Sequence, residues 1–222
     1  GGLREVADLW AYEQAANPDQ IWNHSPVPVE SNPFSVAPLT GGRALVADAA
    51  ANDILVVGPT GRIDWVAVLT PVAPDGPQPV PTSVTVGPYG AYYVGELTGF
   101  PATPGLSRVW RIARGSRHVL CPSRACTLVA DGFTSIMDLE FGPDGTLYVV
   151  ELDEGSWLAV EGNQGARTEA GGTVNACNVA TGACWSRPAA FEPFGRVVTD
   201  AAARGRARGG SRCRPRAVAA CG

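Results

Sequence analysis

The sequence predicts an all-β fold, a β-propeller of about three to four blades preceded by a short N-terminal helix. Three stretches repeat one pattern. Pro33-Phe34-Ser35-Val36 leads to Leu45-Val46-Ala47-Asp48, Pro81-Thr82-Ser83-Val84-Thr85-Val86 to Tyr93-Val94-Gly95-Glu96, and Met137-Asp138-Leu139-Glu140-Phe141 to Tyr148-Val149-Val150-Glu151. The first two copies align without a gap at an offset of 48 residues, and the third follows at 55. Each copy reads as a strand, a Gly/Pro-containing turn and a second strand ending on a carboxylate. Composition agrees, since 27 Gly and 19 Pro in 222 residues suit many short strands joined by turns.

Residues 1–32 read as a helical leader and connector. Leu3, Val6, Leu9 and Trp10 fall at helical spacing and predict a helix over 3–16, with Glu13 next on the same face. Asn17-Pro18 ends it, because a residue before Pro is pushed out of the helical region. Trp10 and Trp22 are expected to anchor the leader on the propeller. The partial propeller spans 33–200. Its first blade continues through Asp53-Ile54-Leu55-Val56-Val57, a Gly58-Pro59-Thr60-Gly61 turn and a strand over 62–69. The second runs from about 80 to 131, with its third strand at 107–112 and the segment 121–126 beside its outer strand. The third starts near 133, and residues 191–200 read as the opening of a fourth. Three blades and a start form an open arc, so either a fragment or a half-ring that associates through its open edges is expected.

Charge divides the chain. Residues 1–200 hold eleven Arg against 21 Asp and Glu, and the other six Arg all follow residue 200. An acidic body repels phosphate backbones, which excludes nucleic acid as the partner of the repeats. The tail 201–222 is rich in Arg, Gly and Ala without strand alternation, and it is expected to be disordered or aberrant. No apolar run approaches the ~18 residues that cross a bilayer. Of the six cysteines, Cys121 with Cys126 and Cys177 with Cys184 bracket turn-like segments at spacings that suit a disulfide across a hairpin; free thiols are the alternative. Two such bonds favour an extracellular or periplasmic location. Cys213 and Cys221 receive no role.

Asp48, Glu96 and Glu151 occupy one repeat position, so they are expected at one height in successive blades. Beside general acid/base catalysis by these carboxylates, two readings stay open. Each acid caps the loop after its strand, or the three form an arc near the central channel, with Asp138 as a fourth oxygen donor, that holds a ligand or a hard cation such as Ca2+. No catalytic residue is assigned. A Ser/His/Asp triad would have to use His24 or His118, the only two histidines, and no Gly-x-Ser-x-Gly elbow is present. The loops 97–106 and 153–171 are long for hairpin connections, and such loops form binding surfaces on rigid scaffolds. Phe100 and Trp157 within them are candidate contacts for a protein or small molecule.

Several of these motifs resemble known repeats. Val46-Ala47-Asp48, Asn52-Asp53-Ile54-Leu55-Val56-Val57 and Gly61 resemble the NHL-type propeller repeat. The leader Val6-Ala7-Asp8-Leu9-Trp10-Ala11-Tyr12-Glu13, the Ser31-Asn32-Pro33-Phe34 stretch, Val94-Gly95-Glu96-Leu97-Thr98-Gly99-Phe100-Pro101 and Gly132-Phe133-Thr134-Ser135-Ile136-Met137-Asp138-Leu139 resemble the ScyD/ScyE family of bacterial propellers. The resemblance covers roughly residues 5–150 and is absent from the tail. It implies an exported protein of about six blades with no established catalytic activity. Two functions follow as expectations: a binding or scaffold module, or a calcium-dependent hydrolase similar to lactonase or strictosidine-synthase-like propellers.

Overall fold

A computed structural model describes residue 2, residues 4–23 and residues 25–187. The expected start of a fourth blade, the Arg-rich tail, Cys213 and Cys221, Leu3 and His24 lie outside the described residues. Three blades of four antiparallel strands each follow one another along the chain. Blade 1 contains β1 (Pro33–Leu39), β2 (Arg43–Asp48), β3 (Asp53–Val57) and β4 (Ile63–Leu69). Blade 2 contains β5 (Pro81–Val86), β6 (Tyr92–Glu96), β7 (Ser107–Ile112) and β9 (Cys126–Phe133). Blade 3 contains β10 (Ile136–Phe141), β11 (Leu147–Glu151), β12 (Thr173–Asn178) and β13 (Ala183–Arg187). All three place a bulge at the same point of the inner strand, between residues 33 and 35, 81 and 83, and 136 and 138.

Alternation along the strands turns one set of side chains to each neighbour. In β6, Tyr92 and Val94 join the core shared with blade 1, while Tyr93 joins the core shared with blade 3. From β7, Trp110 and Ile112 face blade 1 and Val109 faces blade 3. Gly95 is the close approach of blades 2 and 3, because a Cβ there would lie 2.7 Å from Ile136 Cγ2. The inner strands are also tied by hydroxyls. Val84 N–H donates to Ser35 Oγ, Leu139 N–H donates to Ser83 Oγ, and Ser83 Oγ donates to Asp138 Oδ1 at 2.8 Å.

The leader differs from its expected form. The helix α1 covers Leu9–Ala16 rather than 3–16, because Asp8 takes an extended backbone and its carboxylate accepts Ala11 N–H at 2.9 Å, which caps the helix there. Asn17 closes it in the left-handed region. Trp10 is 47% exposed and is not an anchor, and Trp22 is half-buried. Ala7, Leu9 and Tyr12 instead pack on Val46, Leu55 and Val57. Those three side chains point away from the core shared with blade 2, so α1 covers the outward face of blade 1, where a closed ring would seat another blade.

Blade 1 also gains a strand that the repeat does not announce. β8 (Val119–Cys121) leaves blade 2 after β7 and pairs in parallel with β4, setting Ala67 opposite Val119 and Leu69 opposite Cys121. The Cys121–Cys126 disulfide therefore joins a strand of sheet 1 to a strand of sheet 2 rather than closing a simple hairpin. Cys177 and Cys184 are directly opposed in the β12–β13 hairpin and form the second disulfide. A second short helix, α2 (Trp157–Gly162), lies within the insertion between β11 and β12. No helix among the described residues is long and apolar enough to cross a membrane.

Candidate functional site

The second strand of every blade ends on its repeat carboxylate, opposite the first residue of the inner strand: Asp48 faces Pro33, Glu96 faces Pro81 and Glu151 faces Ile136. All three acids are buried. Burial of a carboxylate demands donors, and each acid finds its own set. Asp48 accepts from Ser31 Oγ and Asn32 N–H, both at 2.6 Å, and from Ala51 N–H at 3.3 Å. Glu96 accepts from Arg108 Nε at 2.6 Å and Nη2 at 2.9 Å, and from Trp110 Nε1 at 2.6 Å. Glu151 accepts from Thr134 N–H, from Asn175 Nδ2 and from Thr173 Oγ1 at 2.9 Å. Burial pushes Glu96 up to about 7, against the pull of Arg108 and Trp110, and raises Glu151 against the hydrogen bond from Thr134.

The residue across the sheet from each acid differs in kind. Asp48 pairs with Asp53 and Glu151 with Thr173, while the pairing of Gly95 with Val109 sets Arg108 opposite Glu96. One backbone position thus carries a carboxylate, a hydroxyl and a guanidinium in blades 1, 3 and 2. Blade 1 concentrates charge as a result. Asp53 and Glu13 are fully buried, and none of their four carboxylate oxygens has a hydrogen-bond partner. Asp19 is also buried, and its Oδ2 accepts from Asn52 Nδ2 at 3.0 Å. Burial, and then the charges of Asp48 and Asp19, push Glu13 up to about 8. Burial pushes Asp19 up to about 6, and burial with Glu13, Asp48 and Asp19 pushes Asp53 well above its ordinary value. The candidate residues did not include Glu13, Asp19 or Asp53. Glu13 did leave a signal, since it continues the apolar stripe of the leader. Among the described residues, no three Asp, Glu, His or Cys side chains are placed to hold a metal ion. Asp138 lies on β10 beside Ser83, at the inner-strand step equivalent to Ser35 and Ser83.

The insertions emerge at this same end, one after Glu96 and one after Glu151. They touch: Trp157 Nε1 donates to Thr98 O at 2.9 Å, and Trp157 N–H donates to Ser135 Oγ at 2.9 Å. Gly105 N–H donates to Thr134 Oγ1 and Ser135 N–H to Ser107 Oγ, which fastens both insertions to the turn between β9 and β10. Asp153, buried at the base of the second insertion, accepts from Gly155 N–H and from the N–H and hydroxyl of Thr168. Burial opposes its charge, but Thr168, Gly155 and Arg167 outweigh that and hold it below the usual carboxylate range. Of the two loop aromatics, Trp157 is half-buried in this junction, whereas Phe100 is 74% exposed. His118 sits on blade 1, stacked on Trp65 and 2.8 Å from Asp64 Oδ1.

No family model matches the chain, and no curated protein sequence does. Solved structures share its fold. The PQQ-bound form of aldose sugar dehydrogenase from Streptomyces coelicolor is 22% identical with a TM-score of 0.50, over 75% of this chain and 48% of that one. Virginiamycin B lyase from Staphylococcus aureus is 15% identical with a TM-score of 0.46, over 73% of this chain and 42% of that one. The calcium-binding protein regucalcin from Agrobacterium tumefaciens is 19% identical with a TM-score of 0.41, over 71% and 46%. The chain therefore spans less than half the length of these structures. At such identity the likeness shows the β-propeller fold alone.

Proposed function

We propose that this chain is part of an exported β-propeller of the ScyD/ScyE type that acts as a binding or scaffold module. Its ligand, a protein or a small molecule, meets the end at which the insertions emerge. One observation carries the reading. The two insertions are locked to each other by the Trp157–Thr98 hydrogen bond and present Phe100 to solvent on a braced platform. An exposed aromatic on a fixed loop loses little conformational freedom when it is covered, which makes it a good contact residue. The two disulfides support export, because such bonds persist in oxidising compartments.

The calcium-dependent hydrolase is the second reading, and it would draw on Asp48, Glu96, Asp138 and Glu151. The hydrogen bonds that already engage these acids within and between blades favour the binding module. Calcium separates the two readings. The binding module predicts no turnover of a lactone panel and a melting temperature that calcium leaves unchanged. Lactone hydrolysis that requires Ca2+, with a calcium-dependent rise in melting temperature lost in Glu96→Gln, would favour the hydrolase.

A further inference from the structure

We infer that the cavity at the end of blade 3 binds a guanidinium group of a ligand, in the place that Arg108 occupies in blade 2. The proposal rests on reading this end of the arc as the binding face, and it names the ligand chemistry for one part of that face.

Blade 2 shows what the fold does with a guanidinium beside the repeat carboxylate. Arg108 grips both oxygens of Glu96, and its guanidinium carbon lies 4.8 Å from the centre of the Trp110 ring. The equivalent positions in blade 3 are Thr173 and Asn175, by the register that sets Glu151 opposite Thr173. These shorter side chains still bond to Glu151, but they bring no positive charge. A cavity of about 270 Å³ opens beside Asn175, lined by Asp131, Phe133, Glu151 and Glu154 among others. That volume suits one planar group rather than a whole drug-sized ligand.

Charge points the same way. Glu151 is only 6% exposed, and the donors it has found are an amide, a hydroxyl and a backbone N–H. Asp131 and Glu154 add two carboxylates to the wall. Among the described residues, ion pairs join Arg108 to Glu96 and Arg117 to Asp64. A guanidinium presents a planar fork of donors that a carboxylate accepts at two points, and it is more weakly hydrated than an ammonium. Burial already raises Glu151, so an arriving cation relieves the cost of its charge.

The test titrates the full chain with methylguanidinium, with neutral methylurea and with methylammonium, by calorimetry at pH 8. Saturable binding of methylguanidinium at one site is expected, with no binding of methylurea and weaker binding of methylammonium. Glu151→Gln is expected to weaken methylguanidinium by about tenfold or more, the scale of one charge-assisted contact. Thr173→Arg is expected to abolish binding, because its own guanidinium fills the cavity as Arg108 does in blade 2; this variant decides alone if Glu151→Gln fails to fold. Absence of saturable binding overturns the proposal. So does equal binding of methylurea or methylammonium, or an unchanged affinity in Thr173→Arg. Calcium-dependent lactone turnover would end the binding-module reading without altering the outcome of this titration.

Discussion

Arg108 and Glu96 are the clearest case of a residue pair whose value depends on both members. Glu96 is fully buried, and Arg108 supplies its compensating charge at 2.6 and 2.9 Å. Arg108→Met is expected to cost about 3–5 kcal/mol at pH 8 in urea denaturation, since it leaves a charge in the core. The loss is expected to shrink at pH 5, where Glu96 takes up a proton, and adding Glu96→Gln should remove that pH dependence. An equal loss at both pH values would show that Arg108 matters through packing alone. The existence of a special position here was legible in the repeat, because Asp48, Glu96 and Glu151 align by spacing. Their surroundings were not legible. Donors such as Ser31, Arg108 and Thr134 come from segments 12–17 residues distant, and only strand pairing and turns bring them together. The unlike partners Asp53, Arg108 and Thr173 sit on third strands, where the repeat is too degenerate to align.

At the scale of elements, the strands were the most readable part. β2, β3 and β7 begin or end where alternation and Gly/Pro turns place them. β8 was not, since three residues without turn signals gain their strand identity only by pairing with β4. Its disulfide holds it between two sheets. Replacing Cys121 and Cys126 by Ser is expected to cost about 2 kcal/mol or more, and to open the segment 113–125 to proteases before the chain unfolds globally. Unchanged protection of that segment would show that the strand pairing suffices. The leader helix was longer in expectation because its stripe begins before Asp8, and a capping side chain overrides such a stripe.

The same helix makes stability depend on pH. The folded-state pKa values of Glu13 and Asp19 rise to about 8 and about 6, and that of Asp53 rises as well. A carboxylate raised in this way favours the folded state when protonated. Its contribution is full below the ordinary carboxylate values and is lost as pH rises through 6 to 8. The denaturation midpoint is therefore expected to fall between pH 5 and pH 8. Glu13→Gln is expected to raise it at pH 8 and to flatten the slope. A midpoint that climbs with pH across this window would contradict the cluster.

For the whole molecule, the described residues form an arc of three blades whose first outward face is closed by α1 rather than by another blade. Every inter-blade core uses alternate residues of the same strands, and the two ends of those strands are distinct surfaces. One end carries the short β5–β6 turn with Tyr89, which is 95% exposed. The other carries both insertions, Phe100 and the cavity beside Glu151. Two large exposed aromatics thus sit at opposite ends of the same blade, and they make a matched pair of probes. Ligands are expected to meet the insertion end. The most direct test is capture from cell-envelope and culture fractions by the immobilised full chain, with Phe100→Ala and Tyr89→Ala measured beside it. The expected result is a saturable ligand that Tyr89→Ala retains at full affinity and Phe100→Ala weakens by about tenfold or more, the scale of a contact aromatic. Equal retention by all three chains, or loss in Tyr89→Ala alone, would contradict it.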